Sequence, residues 1–341
     1  MLTTKDFIEA MARFGALLYE IGTNGTKNSG INAAHHYNGW FTGENVQYAL
    51  LAFSKSISSQ KTAVWLADYA IKQHKPKRIG VILPGNIPFA GLHDLICVLA
   101  TGNIFVGKTS SKEKKLMPIL SDILIDIEPR FKSKIEFSEG KFDHIEAIIT
   151  AGSNNTSRYM QYYYGKYPNI IRKNRNSAAV LNGNETKEEI KALGRDIFQY
   201  FGLGCRNVSK IFLPEGYKLS DFTDGITDYQ YVMQNNKYAN NYHYHRTVCL
   251  MNKYKITDNG FVLLKEDESL LSPVAMLHYE YYKGKKDLVE KINRQEDGIQ
   301  CIVSNIKINS KKVVYFGKAQ EPELSDYADG IDTMDFLINR V

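Results

Sequence analysis

The chain reads as an α/β protein: a parallel, doubly wound sheet followed by a second, mixed α/β domain. Three observations predict this. From Arg78 onward, short apolar runs alternate with helix-like stretches, the strand–loop–helix repeat of a parallel sheet. The length of 341 residues exceeds one average domain. A hydrophobic content of 43% is enough for two cores. Such sheets bind ligands beyond the carboxyl ends of their strands, so the strand-to-helix corners are where chemistry is to be sought.

Residues 1–76 read as helices, over 6–21 and then 42–74 in two or more pieces. Residues 24–40, rich in Gly and Asn, read as a loop between them. Thr42, with Glu44 or Asn45 behind it, starts the second helical stretch without a full capping box. Trp65, Leu66 and Tyr69 are expected to face the core. Strands follow at 78–83, 102–110, 134–138, 147–150 and 177–181, with helices at 89–100, 113–127 and 153–164 between them. A helix over 187–201 carries Ile190, Leu193, Ile197, Phe198 and Phe201 at helical spacing. Gly202 and Gly204 are expected to break it before Cys205 and a buried strand at 209–213. Beyond Pro214, strands are expected at 246–251, 260–264, 273–279, 298–304 and 312–316.

Composition narrows the function classes. A net charge of +6 suits anionic ligands and falls short of the dense basic patches of nucleic-acid binders. The four cysteines (Cys97, Cys205, Cys249, Cys301) are widely spaced, which argues against zinc clusters and a disulfide framework. Glu9 within an amphipathic N-terminal stretch makes a poor signal peptide, and no apolar run approaches the ~20 residues of a membrane helix. The expectation is a soluble, cytoplasmic protein. The Asn- and Tyr-rich run at 235–245 is attributed to genome composition rather than function.

Four corners could carry chemistry. Cys205, between a glycine hinge and a core strand, is presented as a thiol nucleophile would be; a small buried packing residue is the alternative. At Pro84–Pro88 (P-G-N-I-P), two prolines fix an irregular turn and offer the Asn86 amide as an oxyanion donor; a plain Asn turn is the alternative. V-G-K-T-S-S (residues 106–111) places Lys108 and Thr109 at a helix start, where an anion could sit, although it lacks the Walker spacing; taken alone it reads first as a solvated basic helix start. A-G-S-N-N-T (residues 151–156) places Gly152 and Ser153 at a third corner, without the three-glycine dinucleotide fingerprint. R-K-N-R at 172–175 reads as a surface basic face or a phosphate contact, and His243, His245 and His278 as packing or surface residues at or near strands.

Taken in order, these corners resemble the aldehyde dehydrogenase superfamily. P-G-N-I-P is similar to P-W-N-F-P, and G-N-I-F-V-G-K-T-S to G-N-x-V-V-x-K-P-S, with Thr109 in place of proline. A-I-I-T-A-G-S is similar to the F-T-G-S corner, C-R-N-V-S-K to C-x-x-x-S-R, and L-L-S-P-V-A-M-L-H-Y to F-G-P-V-L-P-V-x-x-Y. R-K-N-R-N-S, F-G-L-G-C-R-N-V-S-K and Y-A-D-G-I-D-T-M more closely resemble the luminescence-type (LuxC-like) acyl-CoA reductases. The resemblance implies an aldehyde-dehydrogenase-like, Rossmann-like cofactor domain at 1–180, an α/β catalytic domain at 181–320 and a return segment at 321–341. It further implies Cys205 as nucleophile, Asn86 with the Cys205 N–H as oxyanion hole, and cofactor contacts from Lys108, Thr109, Gly152 and Ser153. The implied cofactor is NADPH or NADH, with a coenzyme A ester as substrate and no metal.

Where ordinary members carry a general-base Glu in E-L-G-G-K, this chain reads I-R-K-N-R. Without a base to activate water, a cysteine thioester survives hydrolysis and exchanges with a thiol. That favours reduction of an acyl thioester over oxidation of an aldehyde. Ser269 stands at the usual ribose-binding Glu, with Glu268 beside it, which leaves NAD versus NADP open. Two alternatives accompany this expectation: an acyl-binding scaffold without reductase activity, and a reductase for carrier-protein-bound acyl groups. Homo-oligomerisation or an acyl-transfer partner is compatible with either; nucleic acid is not.

Overall fold

The computed structural model describes residues 2–25, 28–152, 154–308 and 313–341. It divides into two compact units, Met1–Asn174 with Glu321–Val341, and Arg175–Gln320.

The first unit begins with α1 (Thr4–Asn24), opened by a capping box in which Thr3 and Asp6 satisfy each other's amides. Its buried stripe of Phe7, Met11, Phe14 and Leu18 follows the helical period. The expected loop at 24–40 instead carries two single-turn helices, α2 (Ser29–Asn32) and α3 (Ala34–Tyr37). The Asn28 side chain nucleates the first by accepting from the Gly30 and Ile31 amides. Then come α4 (Gly43–Ser56), with Thr42 accepting from the Asn45 amide, and α5 (Ser59–Ala67). Trp65 and Leu66 are buried, and the Tyr69 hydroxyl donates to Asp332 Oδ2 at 2.7 Å. Helix stops at Ala67, short of the expected 74.

The alternating segment forms β1 (Arg78–Ile82), α6 (Leu92–Ala100), β2 (Ile104–Lys108), α7 (Leu116–Ile127), β3 (Ile135–Phe137), β4 (Ala147–Ala151), α8 (Asn154–Tyr164) and β5 (Asn169–Arg172). The strands make one parallel sheet in the order β3-β2-β1-β4-β5. The interiors of β1, β2 and β4 are buried without alternation, as expected of a sheet covered on both faces. Strand order reverses between β1 and β4, so the crevice beyond their carboxyl ends is the topological switch point.

The second unit contains β6 (Asn176–Val180), α9 (Lys187–Phe198), β7 (Val208–Pro214), α10 (Leu219–Gly225), α11 (Asn236–Met251), β8 (Ile256–Asp258), β9 (Leu263–Glu266), β10 (Met276–Tyr282), α12 (Lys285–Asn293), β11 (Ile299–Val303) and β12 (Val313–Val314). Its seven-stranded sheet runs β12-β11-β6-β7-β10-β9-β8, parallel except for the antiparallel β8–β9 pair. Because β6 lies between β11 and β7, the division falls at 174/175, where the sequence suggested 180/181.

Two expectations are corrected here. Residues 246–251 are the last turns of α11 and not a strand. Asn235 caps the helix, and Tyr238, Tyr242 and Cys249 form its buried side. His243 and His245 therefore ride on a helix, not beside strands.

The chain ends in the first unit with α13 (Thr333–Asn339). Arg172 is buried there, giving a bidentate pair to Asp94 at 2.7 and 2.8 Å and a bond to Thr333 Oγ1 at 3.0 Å. That overturns its reading as a surface cation or phosphate ligand; the guanidinium instead ties β5, α6 and α13 together. Among the described residues, no helix is long and apolar enough to cross a membrane.

Candidate active site

Cys205 sits on a turn between α9 and β7 and is exposed, whereas Cys97, Cys249 and Cys301 are buried. Packing therefore does not account for it. The helix leading to it is fixed at its start by a capping box of Thr186 and Glu189. It ends earlier than the glycines suggested, at Phe198. Tyr200 (φ 54°), Phe201 (φ 57°) and Gly202 (φ 77°) then follow one another in the left-handed region. For the two aromatic residues this conformation costs roughly 1–2 kcal/mol each. Both rings are buried, which offsets part of that cost.

The turn itself is closed by its backbone and by one side chain. The Asn207 amide donates to the Gly204 carbonyl at 3.0 Å, and the Gly204 amide donates to Asn207 Oδ1 at 2.7 Å. Ser177 Oγ, at the start of β6, donates to the Cys205 carbonyl at 3.2 Å. Arg206 is buried, with its guanidinium 3.4 Å from the Ala319 carbonyl. Neither Ser177 nor Asn207 was singled out in the sequence. The available signal was a polar residue just before an apolar strand and just after a helix end, where Asn bonds local backbone.

Beyond the turn, β7 (Val208–Pro214) carries Ser209 and Lys210. Both reach one loop. Ser209 Oγ donates to the Leu270 carbonyl at 2.6 Å, and Lys210 Nζ to the Glu268 carbonyl at 2.6 Å. Between them the Ser269 carbonyl lies 2.9 Å from His278 Nδ1, on β10. Three successive carbonyls are thus held from the sheet, leaving the Glu268 and Ser269 side chains exposed. Lys210 is fully buried and keeps its charge balanced against Glu280 Oε2 at 2.6 Å, while Lys291 takes the other carboxylate oxygen. Burial pulls the Lys210 ammonium below its usual range, and the bond to Glu280 opposes that.

His278 gives this loop a pH dependence. Burial holds its imidazole below the ordinary 6.5, with the bond to the Ser269 carbonyl acting the other way. The unfolded chain therefore takes up a proton near pH 6.5 that the folded chain resists, so stability falls as pH drops through that point. The expected slope is at most about 1.4 kcal/mol per pH unit. Denaturant unfolding at a series of pH values measures it. His278→Asn should flatten the part between neutral pH and the lowered folded value, and an unchanged slope would remove His278 as its source.

The first unit supplies three corners at the carboxyl ends of adjacent strands. Leu83 donates its amide to the Lys108 carbonyl at 2.9 Å, and Asn38 Nδ2 donates to the Gly85 carbonyl at 3.2 Å. A Cβ on Gly85 would meet Ser110 Oγ at 2.6 Å, so the P-G-N-I-P corner and the K-T-S corner are in contact only because residue 85 is glycine. Asn86 is exposed on this corner, and Lys108 and Thr109 are half-buried. Helix α7 starts later than the sequence suggested: Glu113 is buried and caps it, accepting from the Lys115 and Leu116 amides at 2.8 and 2.6 Å. Gly152 is half-buried, its amide donating to the Arg172 carbonyl at 3.3 Å, while Ser153 lies outside the described residues. Thr150, at the end of β4, is buried with a hydroxyl that has no partner among the described residues.

No protein-family model and no curated protein matches the sequence. Solved structures do match the fold. The aldehyde dehydrogenase KauB from Pseudomonas aeruginosa superposes with a TM-score of 0.67 at 11% identity, covering 92% of this chain and 76% of that one. An aldehyde dehydrogenase from Bacillus cereus, solved with NAD+, gives 0.65 at 12% identity, covering 92% and 76%. An NADP-dependent enzyme of E. coli gives 0.64 at 12% identity, covering 93% and 78%. The fold is aldehyde-dehydrogenase-like.

Proposed function

We propose that this protein reduces an acyl thioester, most directly an acyl-CoA, to the aldehyde through an acyl group carried on Cys205. The observation that carries the reading is the exposed Cys205 on a turn fixed by buried polar groups, in an aldehyde-dehydrogenase-like fold. The thiolate of Cys205 attacks the thioester carbonyl. The new C–S bond forms first, moving the carbonyl electrons onto oxygen; the bond to the coenzyme sulfur then breaks as the carbonyl re-forms, and the coenzyme departs as its thiol after taking a proton. The Cys205 N–H donates to the oxygen that carries the charge between those events, and Asn86 is assigned to that oxygen by its motif alone. When bound, a reduced nicotinamide cofactor would supply the hydride that takes the acyl carbon to the aldehyde level. When that carbon is released, the cysteine sulfur keeps the bonding electrons and is free for another turnover.

The first unit suits such a cofactor. The β1/β4 switch point lies at the carboxyl ends of those strands, where Thr150 is buried with a hydroxyl that has no partner among the described residues. Lys108, Thr109 and Gly152 stand at the same ends of the sheet and would hold it, with Ser153 assigned by the motif alone.

The segment that replaces the family's general base supports reduction over hydrolysis. Around Arg172 and Lys173 the carboxylates are engaged: Asp94 accepts both Arg172 bonds, and Asp329 Oδ2 accepts from the Lys173 amide at 3.3 Å. The test is stoichiometric. Incubation with acyl-CoA esters of graded length and NADPH or NADH should consume reduced cofactor and release aldehyde and free thiol in equal amounts. Hydrolysis to the acid without cofactor consumption would contradict the reading.

A further inference from the structure

We infer that Asn207 is the positioning residue for Cys205, a clamp that holds the nucleophile turn in its acyl-accepting geometry. This rests on the reading of Cys205 as nucleophile and adds a residue to it.

Asn207 is 1% exposed, and every polar group it has is used. Its carboxamide nitrogen donates to the Gln199 and Asp196 carbonyls at 2.8 and 3.0 Å, with the Ile197 carbonyl at 3.3 Å. These are carbonyls at the end of α9, which the helix itself leaves without partners. Its carboxamide oxygen accepts from the Gly204 amide, its own amide closes the turn to the Gly204 carbonyl, and its carbonyl accepts from the Ser177 amide at 3.0 Å. One side chain therefore grips residue 199 on one side and residue 204 on the other. Between those points lie Tyr200 and Phe201, the two left-handed aromatic residues.

That arrangement has a physical consequence. A left-handed pair relaxes toward the right-handed region when nothing holds its ends, and Cys205 is the next residue after the grip. Only a carboxamide of this length supplies donors on one side and an acceptor on the other. Aspartate would turn a carboxylate against three carbonyl oxygens, and serine would be too short to reach both ends. The helix end is held from its other side too: Asp196 accepts from the Gly317 and Ala319 amides at 2.6 and 2.9 Å. The frame to which Asn207 ties the turn is thus itself fixed.

The test uses the full chain and two probes of the same sulfur. Acyl transfer from an acyl-CoA demands a placed nucleophile and oxyanion, whereas alkylation by iodoacetamide demands only a thiolate. In Asn207→Asp and Asn207→Ser, acyl transfer to Cys205 should fall about 100-fold, the scale of a misplacement near 1 Å. Alkylation at matched pH should change by less than about threefold, because an exposed thiol needs no such placement. Leu288→Ala, a core truncation on α12 in the same unit, should leave both rates unchanged while lowering stability. Equal losses in the two reactions, or a Leu288→Ala protein that reproduces the selective loss, would overturn the inference. Should the Asn207 variants fail to fold, or should the unaltered protein accept no acyl group, amide exchange in the unaltered protein decides. Peptides spanning 199–207 should exchange as slowly as β7, and rapid exchange there would overturn the clamp. An unaltered protein that takes no acyl group from any thioester, yet exchanges slowly, would instead remove acyl-thioester reduction as the activity and leave the clamp standing.

Discussion

Cys205→Ala should abolish acyl-CoA-dependent oxidation of reduced cofactor while leaving the fold and cofactor binding intact. The side chain is exposed and its replacement removes one sulfur atom from a turn whose bonds run through Gly204, Asn207 and Ser177. A substitution away from the core in this manner shifts stability by about 0.5 kcal/mol or less. Activity, by contrast, loses the atom to which the acyl group is bonded, and no other exposed thiol is available to take its place, since Cys97, Cys249 and Cys301 are buried. Thermal unfolding, cofactor fluorescence titration and the absorbance assay separate the three effects. Turnover retained by the alanine protein would remove Cys205 from the chemistry.

Asn86→Ala is the second large effect expected. Loss of one oxyanion donor lowers kcat by roughly 10²–10³ in enzymes that use one. Two bonds that fix the chain just ahead of Asn86 run through other residues: the Leu83 amide donates to the Lys108 carbonyl and the Asn38 carboxamide to the Gly85 carbonyl. The backbone there should therefore persist in the variant, and the loss should appear in kcat more than in substrate affinity. Asn86→Asp, which offers an anion where a donor is needed, should be no better than alanine. An effect below about threefold in both proteins would exclude Asn86 from the oxyanion hole, given the scale of that contribution.

Much of this fold was legible because parallel strands announce themselves. R-I-G-V-I, I-F-V-G-K and A-I-I-T-A are buried on both faces, so their composition is continuous and their corners carry Gly and Pro. What was missed follows from weaker local signals. Strand β5 is a four-residue edge strand behind Pro168, too short for a period to show. The end of α11 was misread because Thr247, Val248 and Cys249 have strand-like propensities, while Asn, Tyr and His fill the turns before them; burial of Tyr238 and Tyr242 settles the helix. The one-turn helices near Asn28 arise from a side-chain cap, which a Gly- and Asn-rich composition hides.

The site divides in the same way. Asn86, Lys108, Thr109 and Gly152 stand out because they lie at or just past strand ends, and Cys205 because it lies between a glycine pair and an apolar strand. The residues that fix Cys205 do not stand out. Ser177 lies 28 positions from the carbonyl it holds, and Asn207 acts by bridging a left-handed segment whose aromatic residues carry no sequence mark of that conformation. Arg172 was misjudged for a related reason: its partner Asp94 is 78 positions away, so a buried ion pair looked like a basic surface.

The most direct test of the central claim is the intact mass of the protein after exposure to an acyl-CoA without reductant, followed by addition of NADPH or NADH. The account predicts a mass gain of one acyl group, located on the peptide containing Cys205, that disappears on adding reduced cofactor as aldehyde is released. A gain that persists in the presence of either cofactor, or no gain with any chain length, would contradict it.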